Sequence, residues 1–357
     1  MGTCAAYAYA VRVPLTLHEA DLPALARGFA LLGSGGGGSP HVAELILRRS
    51  ATWPVTVYAV EEIDPDTPCI AIAYIGSTLL LEERLPDLEP FTPAIEAIER
   101  WLGDTSSAVC AVEGAGLNGL APLQLAGRRT VVDADCMGRA LPDLDQISLL
   151  VDGLPGIVAA TPTGAGGVAL VHQARPQDVE RILRTATTCN GGWAGLAVGG
   201  FRVGDLSEHA ITGGIRQAQA LGLAIGQAEQ SLPTHLAAAL DGELLGVGRV
   251  VDTRPEPAAA EVHSFELRTV DGDVLRLVAS SEFIALLRNG IVVASSPTII
   301  VVLDAITRTA LEVDEVATGK DVIILGLPAP SWWVQDQRRL ELALPSRWGI
   351  AGLEESR

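Results

Sequence analysis

Long apolar runs are scarce in this sequence. Stretches such as Ile299 to Leu303 and Val322 to Leu327 are strand-sized, far short of the roughly 20 apolar residues that cross a bilayer, so no membrane span is expected. Basic runs are missing as well. A formal net charge of −18 repels a phosphate backbone and argues against a nucleic-acid partner. Met1 to Val13 lacks the basic start, apolar middle and small-residue cleavage site of a secretory signal, so the expected compartment is the cytoplasm. The five cysteines, Cys4, Cys69, Cys110, Cys136 and Cys189, are odd in number, scattered and without a CxxC pair. That argues against a disulfide framework and a thiolate zinc knuckle, and suits a reducing compartment.

What is present is enough apolar material for a core. Apolar residues make up 48% of the chain and charged ones 19%, the balance of a compact globular protein. At 357 residues it exceeds the usual size of one domain, and two are expected.

The first half alternates helices with unbroken apolar runs. Asp21 is placed to cap a helix with Leu22, Leu25, Ala26, Phe29 and Leu32 on one face. The glycine loop Gly33 to Gly38 ends it, and Ser39 and Pro40 open the next helix, His41 to Arg49. Val55 to Val60, Cys69 to Ile75 and Ala108 to Val112 read as strands covered on both faces, the mark of a parallel sheet. A fourth strand, Thr130 to Val132, is expected to stop at Asp133. Helices are predicted over Thr92 to Leu102, Pro176 to Thr185 and Gly213 to Glu229. From about Gly242 short strands alternate with turn signals such as Asp271-Gly272 and Asn289-Gly290. Residues 1–175 are therefore expected to form an α/β layer domain with a mostly parallel sheet. Residues 176–241 read as a helical segment packed on it, and 242–357 as a mainly β, barrel-like domain.

Three clusters could carry chemistry, each at a putative strand end or helix start, where α/β sheets bind ligands. In the glycine loop, Gly35, Gly36 and Gly37 with Ser39 and His41 offer bare backbone N–H groups to an anion or carbonyl; a structural turn is the alternative. In Glu113-Gly114-Ala115-Gly116-Leu117-Asn118-Gly119, Glu113 could serve as a base and Asn118 could orient a carbonyl, or the stretch is a turn capped by Asn118. The densest is Asp133-Ala134-Asp135-Cys136-Met137-Gly138-Arg139, costly to bury unless its polar groups bind a ligand or one another. An Asp135–Arg139 ion pair with Cys136 as a small apolar filler is one reading. A thiolate favoured by the arginine and a helix N-terminus is the other. His172, His209, His235 and His263 have no partners at ligand spacing and read as surface or structural residues.

These segments resemble a known family. The stretches Leu31 to Pro40, Glu113 to Asn118 and Val132 to Pro142 are similar, in order, to three N-terminal signatures of bacterial cytoplasmic proteins named after S-methyl thiohydantoin desulfurase. Gly326 to Pro330, with Trp332 soon after, is similar to the family's C-terminal end, so the resemblance spans roughly residues 15 to 350. The chain departs from the pattern at Cys136, where many members carry glycine, and at Ser39, where they carry an acid. The resemblance implies an α/β domain followed by a β-barrel-like one.

It also implies an enzyme that hydrolyses a small cyclic amide or thioimidate, a hydantoin- or S-methyl thiohydantoin-like ring, at the carbon between the ring nitrogens. Such a reaction needs a nucleophile, an acid for a ring nitrogen and donors for a carbonyl. Cys136, or water activated by Glu113 or Asp133, would supply the nucleophile; Asp135 or His41 the acid; glycine-loop N–H groups the donors; and Arg139 a partner for a substrate carboxylate. A zinc or manganese ion on Glu113, Asp133, Asp135 and His41 is the rival device. Relatives encoded beside hydantoinase and oxoprolinase subunits imply a further alternative, a ligand-binding partner subunit, and self-association is also open.

Overall fold

The computed structural model describes residues 13–77, 80–81, 89–255, 262–350 and 352–354. Nine strands form the first sheet: β1 (Leu15–Leu17), β2 (Val55–Tyr58), β3 (Pro68–Gly76), β4 (Ala108–Ala111), β5 (Thr130–Asp135), β6 (Val158–Gly164), β7 (Gly167–His172), β8 (Trp193–Arg202) and β9 (Ile211–Thr212). Their order is β1-β2-β5-β4-β3-β8-β6-β7, with β9 paired to β5. The central strands β2, β5, β4 and β3 run parallel and the flanks are antiparallel. The alternation of a pleated strand explains why the central runs are apolar throughout. Ile70 and Ile72 of β3 face one packed layer, whereas Cys69, Ala71 and Ala73 face the other.

Helices α1 (Leu22–Leu32), α2 (Pro40–Ser50), α3 (Thr92–Leu102), α4 (Pro176–Cys189), α5 (Val203–His209), α6 (Gly214–Ala228) and α7 (Pro233–Ala239) cover the sheet. Leu25 and Phe29 of α1 and Ile215 and Ala218 of α6 belong to one layer, Val179 and Leu183 of α4 and Leu206 of α5 to the opposite one.

The second sheet has seven strands, all antiparallel: β10 (Glu243–Pro255), β11 (His263–Arg268), β12 (Val274–Ala279), β13 (Phe283–Arg288), β14 (Ile291–Ser295), β15 (Ile299–Asp304) and β16 (Asp321–Leu327). Its order is β14-β13-β12-β11-β10-β16-β15, curled into a half-barrel. Period-2 alternation again assigns the faces. Ile300 and Val302 point into the half-barrel, while Ile299, Val301 and Leu303 join the helical core of the first domain.

Three local expectations differ from the structure. β5 does not stop at Asp133, because β9 pairs with Ala134 and Asp135 and extends it. Cys136 to Arg139 form bends rather than a helix start. The segment 176–241 holds helices but also β8 and β9. The sequence of β8 is dominated by alanine, glycine and leucine and buried on both faces, so it lacks both the alternation and the β-branched enrichment that announce a strand.

Candidate functional site

A cavity of about 600 Å³ opens beyond the carboxyl ends of β3 and β4, with the half-barrel as its facing wall. The first domain lines it with Gly35 to Gly38, Tyr74, Glu113, Asn118, Met137, Arg184 and Trp193. His263, Phe265, Ser281, Glu282 and Val313 come from the second domain.

The glycine loop is fixed across the domain boundary. Ser34, buried and at φ +50°, donates its hydroxyl to the Ile300 carbonyl at 2.9 Å and accepts from the Ile300 amide at 3.2 Å. Phe283 N–H donates to the Ser34 carbonyl at 2.7 Å and Val313 N–H to that of Gly35 at 2.9 Å. The loop then turns through φ +77° at Gly37 and +71° at Gly38, values that favour glycine. The amides of Gly37 and Gly38 donate to no protein acceptor among the described residues, which leaves them available to a ligand.

Two glutamates flank this loop. A Cβ on Gly37 would lie 2.7 Å from Glu113 Oε1, and one on Gly36 would lie 2.6 Å from Glu282 Oε1. Glu113 follows β4, and its Oε2 accepts from the Asn118 amide at 3.4 Å. Its Oε1 is buried and has no hydrogen-bond partner among the described residues. Glu282 lies in the turn between β12 and β13, and its Oε2 accepts from the Ser281 hydroxyl at 2.8 Å. Burial, then the nearby Glu282 charge, pushes the Glu113 carboxyl well above its ordinary value. Burial pushes Glu282 up to about 7, partly offset by Ser281 and Arg139. Burial thus favours the neutral form of both carboxyls over the form they take in water.

Of the residues singled out in the sequence, Gly35, Gly36, Gly37, Glu113 and Asn118 come together at this cavity. Asn118 is a bracket rather than a ligand donor: its Oδ1 accepts from Tyr74 N–H at 2.7 Å and its Nδ2 donates to the Tyr74 carbonyl at 3.2 Å. Ser39 caps α2 by accepting from His41 N–H, and the His41 side chain is 70% exposed beside Glu44. Neither lines the cavity.

Of the third cluster only Met137 lines the cavity. Asp133 accepts from the Ile215 amide at 2.7 Å at the start of α6 and lies 3.3 Å from Arg216 Nε. Asp135 accepts from the amides of Met137 and Gly138. Cys136 is buried in the apolar layer opposite α6, and the adjoining Cys110 thiol and burial push its pKa well above the ordinary value. The expected thiolate loses its physical basis, since among the described residues no helix begins there and no cation acts on the sulfur. Arg139 is buried as well, donating to the carbonyls of Pro297 at 3.1 Å and Thr298 at 2.8 Å. It is a strut between domains that neither pairs with Asp135 nor lines the cavity, though its charge is felt by Glu113 and Glu282. Glu113, Asp133, Asp135 and His41 therefore do not gather as metal ligands, and the described residues hold no group of three or more such side chains.

Sequence reasoning missed Glu282, Ser281, Arg184 and Trp193. The one local signal for Glu282 is an acid enclosed by apolar strands, in Ala279-Ser280-Ser281-Glu282-Phe283, which reads as an ordinary hairpin turn.

Fold and cavity together define a two-domain protein, an α/β layer and a half-barrel enclosing a carboxyl-lined junction. Residues 20–173 match the S-Me-THD-like N-terminal domain and residues 174–355 the S-Me-THD-like C-terminal domain. The chain belongs to the S-Me-THD-like family. It is similar to the X-ray crystal structure of a protein from Chromobacterium violaceum, with a TM-score of 0.79 over 96% of this chain and 99% of that one, at 21% identity. No curated protein matches it.

Proposed function

We propose that this chain is a hydrolase that adds water to the carbon between the two nitrogens of a small five-membered ring of the S-methyl thiohydantoin or hydantoin class. The observation that carries the reading is the pair Glu113 and Glu282, one from each domain, on either side of the Gly36–Gly37 backbone. The family name supplies the ring class; the pair supplies the chemistry.

Glu113 is assigned the proton, since its Oε1 meets no donor among the described residues, whereas the Ser281 hydroxyl at 2.8 Å favours the charged form of Glu282. Glu282 is then the base and Glu113 the acid, the reverse of the role expected for Glu113 as a base. Glu282 takes a proton from water as the oxygen bonds to the ring carbon, and Glu113 protonates the ring nitrogen. Collapse breaks the C–S bond: the new hydroxyl returns its proton to Glu113, Glu282 protonates the departing sulfur, and a hydantoin and methanethiol are left. The Gly37 and Gly38 amides face the ring carbonyl, and Tyr74, Trp193 and Phe265 line the cavity with aromatic surface.

The test uses the purified chain alone with an S-methyl thiohydantoin, following methanethiol with a thiol reagent and the hydantoin by chromatography. Release of both, abolished in Glu282→Gln, is the expected result. Ring opening of a plain hydantoin without thiol release would assign the chain to ordinary cyclic amide hydrolysis. Binding without turnover, relieved by adding a hydantoinase-type subunit, would make it a partner subunit.

A further inference from the structure

Asp135 is a buried acid that the reaction above does not use. Its Oδ1 accepts from the Met137 amide at 2.9 Å and from the Gly138 amide, which closes the turn that brings Met137 to the cavity wall. Its Oδ2 makes no hydrogen bond of good geometry among the described residues and lies against Gly114, whose backbone amide favours the charged carboxylate and where a Cβ would collide with it. Gly114 is the residue after Glu113. On the far side, a Cβ on Gly214 at the start of α6 would stand 2.9 Å from the same oxygen, and no other side chain or backbone atom approaches that position as closely.

We propose that Asp135 is the positioning residue of this site: its carboxylate wedges the Glu113–Gly114 turn against the Met137–Gly138 turn and so fixes where the Glu113 carboxyl stands. The proposal rests on the Glu113–Glu282 reading and deepens it. The wedge has no slack. β4 and β5 pair at Ala111 and Asp135, β9 pairs with Asp135 from the other edge, and Trp333 Nε1 holds the Met137 carbonyl at 2.8 Å. The charged and titratable groups around it are Asp133 on its own strand, Glu113 after β4, Cys110 on β4, Cys136 next in sequence, and Arg216 on α6, which faces Asp133.

Two variants test it. Asp135→Asn removes the charge and exchanges one acceptor for a donor. Gly214→Ala leaves every charge in place and pushes on Oδ2 alone, at a helical position where alanine is favoured over glycine; it decides the matter should the asparagine variant fail to fold. Each is read by steady-state kinetics and by carbon-13 titration of the Glu113 and Glu282 carboxyls in the ligand-free protein. A displaced acid lowers kcat by roughly tenfold or more in Asp135→Asn and severalfold in Gly214→Ala, with KM within about twofold. The Glu113 midpoint shifts in both, downward in Asp135→Asn because a like charge is gone. An unmoved Glu113 midpoint in folded Gly214→Ala overturns the proposal even if no ring is turned over, whereas a shifted midpoint in that variant, which keeps every charge, sustains it, and sustains it with an inactive wild type while refuting the hydrolase reading.

Discussion

Replacing Glu282 by glutamine tests the electrostatics of the site through stability, without any substrate. The folded protein raises this carboxyl from 4.5 to about 7, so its proton binds more tightly in the native state than in the unfolded chain. The sign follows from linkage. Stability associated with Glu282 is complete below about pH 4.5 and is lost as the pH rises through about 7, because a buried charge then has to be carried. At roughly 1.4 kcal/mol for each tenfold change, the loss amounts to at most about 3.5 kcal/mol by pH 8.5. Glutamine does not titrate, and its side-chain oxygen still accepts from Ser281. Urea unfolding of wild type and Glu282→Gln at pH 5 and pH 8.5 is therefore expected to show near-equal stability at the lower pH. At the higher pH the variant should be more stable by about 2–3 kcal/mol, together with complete loss of turnover. Parallel stability profiles across this range would refute the burial argument, and with it the assignment of Glu282 as a base poised near neutrality.

Gly36→Ala should weaken ring binding at least about tenfold by calorimetry, since its Cβ would meet Glu282 Oε1 at 2.6 Å and the Ser281 carbonyl at 2.7 Å. Its φ is outside the left-handed region, so the melting temperature is expected to fall by only a few degrees; matched losses of fold and binding would favour a structural turn. Cys136→Ala should keep full kcat, cost roughly 1 kcal/mol, and native protein should resist iodoacetamide at pH 8.5; loss of activity would reinstate the thiol. Arg139→Met strips donors from the Pro297 and Thr298 carbonyls and is expected to cost roughly 3 kcal/mol in urea unfolding. An unchanged midpoint would remove Arg139 as the strut between domains.

The layer architecture was legible because burial on two faces forces a recognisable pattern. Cys69 to Ile75 and Ala108 to Val112 correspond to β3 and β4 within a residue or so, and the Asn289-Gly290 turn does join β13 to β14. The missed strands show what the pattern leaves out. β9 is two residues long and exists through its pairing with β5, so no local preference announces it. The aspartates of β5 run against strand propensity and are held there by amides from α6 and the Met137 turn, a tertiary override that becomes visible only once the chain is folded.

For the site, the legible half was the half in which a backbone must approach something closely. Gly36 and Gly37 are glycine because carboxyl oxygens occupy the space of their side chains, and such a requirement writes itself into the sequence. Local density of reactive side chains was a poorer guide. Asp133 and Asp135 share the face of β5 turned toward α6, Val132 and Ala134 face the opposite layer with Cys136, and seven adjacent residues thus diverge instead of forming one site. Glu282 meets Glu113 only because Ser34 and Phe283 lock the glycine loop to the half-barrel. The placement of the two carboxyls is then a property of domain docking, since each domain contributes one. A variant that loosens the Ser34 contacts, such as Ser34→Ala, should accordingly disturb the coupled titration of the pair while leaving each glutamate's own turn intact. An unaltered titration in that variant would mean that the two domains are held together elsewhere.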